Sequence, residues 1–154
     1  MKRFSLFIIV SILLFSCNSD DSETICNPTL VIESILFIEL VNTEGENLIE
    51  NGIYNPDDIT IGFNGNIFTG VVFTGVQGVE NVIVLNVFGE EGDNTFDINL
   101  SDTETDTLIL NISKEEISDP CIQLVITVNE VIYNGESKEL QDFEGGFLIT
   151  VVKE

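Results

Sequence analysis

Apolar and polar residues alternate with a period of two over much of the chain. In the segment 106–112, Leu108, Leu110 and Ile112 fall on one face, and the same spacing recurs in Ile122, Leu124, Ile126 and Val128. A two-residue period places side chains on alternate faces of a pleated strand. From Thr29 onward the chain is a series of short apolar runs broken by Gly, Asn and Asp, and none carries a helical 3.6-residue stripe. The runs favour Val, Ile, Phe and Thr, which suit a half-buried sheet surface. The pattern predicts strands near 30–41, 58–63, 66–74, 81–88, 94–100, 106–112, 121–132, 136–140 and 146–152. Short strands at this spacing point to an all-β sandwich or barrel.

The breaks between runs agree with that reading. Asn64-Gly65 and Asn134-Gly135 each separate two strand-like segments, and Asn-Gly is a strong hairpin signal because both residues accept positive φ. Gly89 to Asn94 forms a longer acidic loop. Residues 114–118 are expected to make one short helical turn ended by Pro120. The glycines within 70–79 predict a bulge or bend. That stretch is either a bent core strand or an edge segment that faces a partner.

The first residues follow a different pattern. Lys2 and Arg3 precede an apolar run from Leu6 to Phe15, and polar, acidic sequence begins at Asn18. The run has the length of a signal-peptide core and is short for a spanning helix. Leu14-Phe15-Ser16-Cys17 resembles a lipobox, with an aliphatic residue three before the cysteine and a small one just before it. Phe15 is bulkier than that pattern usually carries. The resemblance implies cleavage before Cys17 and a diacylglyceryl group on its sulfur. One acyl chain anchors only marginally, at about 0.8 kcal/mol per buried CH₂, whereas two or three chains hold durably. The next residues, Asn18 to Glu23, resemble the serine-and-acid export signal of Bacteroidota surface lipoproteins. They imply an outer-membrane lipoprotein that faces the cell surface, with a periplasm-facing position as the alternative.

These boundaries divide the chain into a signal peptide (1–16), a lipidated cysteine with an acidic tether (17–25) and one domain (26–154). Loss of Lys2 and Arg3 leaves three basic residues against 27 acidic ones, a net charge near −24. Such a surface repels nucleic acid and anionic headgroups. With Cys17 lipidated, Cys26 and Cys121 remain as a pair, and export favours a disulfide between them. Closing a loop of about 95 residues is worth roughly 4–5 kcal/mol in the chain-entropy picture. Two buried free thiols are the other possibility.

The domain as a whole resembles small Bacteroidota lipoproteins with an immunoglobulin-like antiparallel β-sandwich of about seven to nine strands. The resemblance rests on Cys26 before the first strand, on Glu44 to Ile49, on Tyr54 to Ile61, on Thr105 to Leu108, and on Cys121 followed by Val131 to Gly135. It implies a fold and an address, not an activity.

Candidate chemistry is sparse. The chain has no histidine, which removes Ser-His-Asp and Cys-His arrangements and the commonest general base. Close carboxylate pairs arise by chance among 27 acids and are no sign of glycoside hydrolysis. No enzymatic role and no resident cofactor are expected. Calcium is the better chemical candidate: Asp102, Glu104 and Asp106 alternate in one segment, and Glu90, Glu91, Asp93 and Asn94 crowd another. The competing reading is two solvated acidic loops. A glycan platform would have to use Tyr54 or Tyr133, since the chain lacks tryptophan. Asp106-Thr107-Leu108 resembles the Bacteroidota O-glycosylation motif, which makes Thr107 a candidate acceptor. The expected role is a membrane-tethered, non-enzymatic module that contacts a protein or glycan partner. The alternative is a calcium- or glycan-binding domain of an envelope system.

Overall fold

The computed structural model describes residues 30–74, 80–117 and 122–154. The segments expected to be a signal peptide and tether (1–25) and all three cysteines (Cys17, Cys26 and Cys121) lie outside the described residues, as does 75–79.

The described residues contain twelve strands and no helix. They are β1 (Leu30–Glu33), β2 (Ile35–Val41), β3 (Thr60–Phe63), β4 (Asn66–Phe68), β5 (Val72–Phe73) and β6 (Val82–Asn86). They continue with β7 (Gly92–Ser101), β8 (Glu104–Glu116), β9 (Ile122–Tyr133), β10 (Glu136–Lys138), β11 (Gln141–Phe143) and β12 (Gly146–Val152). The larger sheet runs β1-β9-β8-β7-β3-β4, with β10 also on β9. The smaller runs β11-β12-β2-β6-β5. Their inner faces share one buried cluster. Leu36, Ile38, Leu40, Ile83, Leu85, Ile149 and Val151 come from the smaller sheet, and Ile61, Phe96, Ile98, Leu108, Leu110 and Val131 from the larger. This is the expected all-β sandwich. Phe96 sits at its middle, fully buried, stacked on Phe63 at 4.6 Å and edge-on to Phe88 at 5.6 Å. Truncating such a side chain costs about 3–5 kcal/mol.

Four local outcomes depart from the sequence-based expectation. The segment 30–41 is two strands in two sheets, and both form parallel pairs: β1 with β9 and β2 with β12. The sandwich is therefore mixed, not purely antiparallel. The change of sheet occurs at Ser34, whose N–H and hydroxyl both donate to the Ile126 carbonyl while its own carbonyl accepts from Val87 N. These bonds satisfy the backbone at the point where it leaves one ladder for the other.

The predicted strand 66–74 is likewise two elements, β4 at the edge of the larger sheet and β5 at the edge of the smaller. Gly70, at φ 66°, turns the chain between them, so the expected bend is real. The expected helical turn at 114–118 is instead strand up to Glu116. Lys114, Glu115 and Glu116 pair with Ile126, Val125 and Leu124, and the β9 ladder outweighs their local helical propensity. Finally, β10 stops at Lys138, and an unexpected strand β11 follows. A two-residue turn at Glu144-Gly145 (φ 44° and 80°) joins β11 to β12.

Candidate functional site

The alternation that buries Leu108, Leu110 and Ile112 also carries Asp106 to the inner face of β8, where its residue is 5% exposed. A carboxylate there must be paired and hydrogen-bonded to remain charged. Its partners come from three places. Tyr133, at the end of β9, donates its hydroxyl to Oδ2 at 2.8 Å. Asn134, in the β9–β10 turn, donates Nδ2 to Oδ1 at 2.8 Å. Lys153, just past β12 in the opposite sheet, places Nζ 2.6 Å from Oδ2 and 2.8 Å from Glu104 Oε1. Glu104 in turn accepts from the hydroxyl of Tyr54 at 3.0 Å.

Strand irregularity makes the cluster possible. At Asn129 a bulge in β9 shifts the pairing with β8, so the inward positions change phase from Ile126 and Val128 to Val131 and Tyr133. Asn134 takes φ 49° in a two-residue hairpin turn, and its amide oxygen accepts from Thr107 N at 2.8 Å while Thr107 O accepts from Asn134 N. The turn is thereby fastened to β8 beside Asp106.

The electrostatics favour a fixed ion pair over a proton-transfer site. Burial by itself would push the Asp106 carboxyl up, but the hydrogen bonds from Lys153, Asn134 and Tyr133 outweigh it and hold the pKa below the usual range. Burial likewise disfavours the Lys153 ammonium, yet its bonds to Asp106 and Glu104 raise its pKa. Tyr133 is shifted upward by burial and by the bond to Asp106. Tyr54 is pushed up to about 12 by burial and by its bond to Glu104. An acid–base pair needs one group poised near neutrality, whereas Asp106 and Lys153 are both held in their charged forms. What the arrangement does chemically is to tie one sheet to the other.

The calcium candidates divide. Glu104 and Asp106 spend their oxygens on Lys153, Tyr54, Tyr133 and Asn134. Asp102 is exposed in the β7–β8 turn. In the other group, Glu90 and Glu91 are exposed, and Asp93 accepts from Asn111 Nδ2 at 2.7 Å. Asn94 is buried and organises its loop: Oδ1 accepts from Glu90 N at 2.8 Å, and Nδ2 donates to the carbonyls of Glu90 and Gly92 at 2.7 and 2.9 Å. Among the described residues, no three carboxylate, His or Cys side chains converge as a metal site. In the first group the Lys153 ammonium sits between the Glu104 and Asp106 carboxylates, as a cation would. In the second the Asn94 amide bonds backbone groups, and the carboxylates of Glu90 and Asp93 take Lys114 and Asn111.

Neither glycan-platform tyrosine presents a ring to solvent. Tyr54 is 8% exposed and Tyr133 1%, each with its hydroxyl on a carboxylate. Thr107 is exposed on the outer face of β8, so its hydroxyl is accessible on the polar side of the sheet.

A second feature lies where the edges of the two sheets face each other at β4 and β5. Phe68 and Phe73 are 40% and 44% exposed, and Ile67 is 69% exposed. Phe68 and Phe73, with Phe88, Val71, Gly70 and Glu33, line an open groove of about 410 Å³, whereas Ile67 lies outside it. Phe68 also packs edge-on against Phe88 at 5.2 Å. Around this apolar mouth the domain offers no unpaired cation among the described residues. Lys114, Lys138 and Lys153 each lie within reach of a carboxylate, on Glu90, on Glu136 and on Glu104 with Asp106 respectively.

The buried cluster had a signal in the sequence. Asp106 lies two residues before Leu108, on the same face, and a period-two reading extended backwards puts it inside. Lys153 had no such signal, because its partner is 47 residues away on another sheet. No family model, curated protein or solved structure matches the chain.

Proposed function

We propose that the chain is an outer-membrane lipoprotein, cleaved before Cys17 and held by lipid on that residue, that presents its sandwich at the cell surface as a non-enzymatic protein-contact module. The address rests on Lys2, Arg3, the apolar run and Leu14 to Cys17. The contact role rests on one observation: an apolar mouth lined by Phe68, Phe73 and Phe88 opens on a domain whose lysines are all paired. Clustered exposed aromatic residues mark interaction surfaces. The charge balance selects a partner that brings basic side chains around an apolar anchor, since a near −24 surface attracts such a partner and repels acidic ones. The absence of histidine from the chain and the closed pairing of Asp106 with Lys153 support a role without catalysis.

Three measurements test the reading. Metabolic labelling with an alkyne palmitate in a bacterial host should mark the wild-type protein and not Cys17→Ser, and surface proteolysis should reach it on intact cells. Label-free wild-type protein would end the lipoprotein assignment. A photo-crosslinking residue at position 68 or 73 should give a discrete protein adduct in the native host, and one at Thr95, on the polar outer face, should not. Equal adducts at all three positions, or none, would remove the contact surface.

A further inference from the structure

The chain contains three Asn-Gly steps, Asn51-Gly52, Asn64-Gly65 and Asn134-Gly135. In such a step the backbone nitrogen of the glycine can attack the side-chain amide carbon of the asparagine. Ammonia leaves and a cyclic succinimide forms. Water then opens the ring to aspartate or isoaspartate, so the product gains a negative charge and a single mass unit over the starting amide. The reaction needs an unengaged nucleophile, a side chain free to swing onto it, and water. We infer that Asn64 is a site of spontaneous deamidation in the folded protein, and that the fold protects the other two, each by a different means.

The two hairpin turns form an internal comparison. Asn64 and Asn134 both have φ 49°, and the glycines that follow have φ 80° and 83°. Each step forms the two-residue loop of an antiparallel hairpin, closed by Phe63 opposite Asn66 in one case and Tyr133 opposite Glu136 in the other. The backbones are equivalent and the side chains are not. The Asn134 amide is held at both ends: Oδ1 accepts from Thr107 N and Nδ2 donates to Asp106 Oδ1, each at 2.8 Å. To reach Gly135 N it must release both, and the second release leaves a buried carboxylate short of a donor. Asn64 is exposed, and among the described residues its amide makes no hydrogen bond.

At Asn51-Gly52 the restraint falls on the nucleophile. Gly52 N donates to the Ile49 carbonyl at 3.0 Å, and Asn51 N donates to Asn47 O at 3.1 Å, so the attacking nitrogen is committed to the turn. Gly65 N has no such bond among the described residues. Conversion at Asn64 would add a carboxylate, and in isoaspartate an extra backbone methylene, to the turn that carries β4 and Phe68. The modified form would thus differ at the edge of the apolar mouth.

The experiment is incubation of the purified protein at mildly alkaline pH, sampled over days and read by peptide mapping with mass spectrometry. A parallel sample is held unfolded in urea. In urea all three sites should convert at comparable rates, because the local dipeptide is the same. In the folded protein Asn64 should convert at least about tenfold faster than Asn134, the factor expected from holding back one to two hydrogen bonds. Equal folded-state rates at Asn64 and Asn134 would overturn the inference. So would an unmodified Asn64 at a time when the urea sample is fully converted. The variant Asn64→Asp should fold normally and abolish the folded-state signal at that peptide, and persistence of the signal would show that another residue carries it.

Discussion

Lys153 Nζ lies 2.6 Å from Asp106 Oδ2, and this contact joins the end of β12 in the smaller sheet to the start of β8 in the larger. The Asp106 side chain is 6% and the Lys153 side chain 15% exposed, so the pair is largely withdrawn from water. Removing one partner leaves the other charge uncompensated, a change that typically costs about 3–5 kcal/mol. Lys153→Met should therefore lower unfolding stability by about that amount in urea denaturation. Lys114→Met is the control, because its partner Glu90 is 95% exposed and the pair stands in water. It should leave the midpoint almost unchanged. Equal midpoints for the two variants would mean that the inter-sheet pair contributes nothing.

The same pair predicts the acid limb of the stability curve. Asp106 has a lower pKa folded than unfolded. Its contribution is then fully present above the unfolded value of about 3.9 and is lost as pH falls through the folded value. Against this, protonating other carboxylates relieves the self-repulsion of a strongly acidic domain. The melting temperature should rise from about pH 7 toward pH 5 and then fall below about pH 4. Asp106→Asn should start lower and lose much of the acid fall. A wild-type curve that keeps rising below about pH 3 would contradict the pairing.

Both tyrosines of the chain sit on carboxylates, which makes their ionisation a direct probe. A native-state absorbance titration should show no tyrosinate near the ordinary value of about 10. The first transition belongs to Tyr54, at about 12, with Tyr133 ionising only on unfolding. Tyr133→Phe removes a bond to a buried carboxylate and should cost about 1.5–3 kcal/mol. Tyr54→Phe should cost about 1 kcal/mol or less, because Glu104 is 41% exposed and water replaces the hydroxyl.

The acidic loop before β7 should depend on Asn94 and not on a divalent ion. Asn94→Ala strips partners from Glu90 N and from the carbonyls of Glu90 and Gly92, at a cost of about 1–3 kcal/mol. Gly89→Ala should act in the same direction: φ is 144°, and a Cβ there would collide with the Asn94 amide. Calcium and magnesium at equal concentration should shift the melting temperature equally and slightly, through screening. A calcium-specific rise that Asn94→Ala abolished would restore the loop as a calcium site.

Much of the strand content was legible because a two-residue period is a local property, written in neighbouring side chains. Leu108, Leu110 and Ile112 show their common face without reference to any other part of the chain. The two Asn-Gly hairpins were legible for the same reason, since positive φ is a demand on two residues alone. The candidate site was legible only in part. Glu104, Asp106, Tyr54 and Tyr133 were all visible as chemistry-bearing residues, but as a cation site and a sugar platform. Nothing local reveals that they share one buried cluster. The helical reading of Lys114 to Glu116 failed because their ladder partners on β9 lie beyond any short window.

The sequence by itself determined the class of fold, the positions of most strands, the acidic surface and the face on which Asp106 lies, because sterics and side-chain polarity act over a few residues. Only the tertiary structure decided that Ser34 passes the chain between sheets, that 66–74 belongs to two edges, and that Lys153 neutralises Asp106. Those outcomes depend on which distant segments meet. That choice is made by burial of the two inner faces against each other and by the requirement that every buried polar group find a partner.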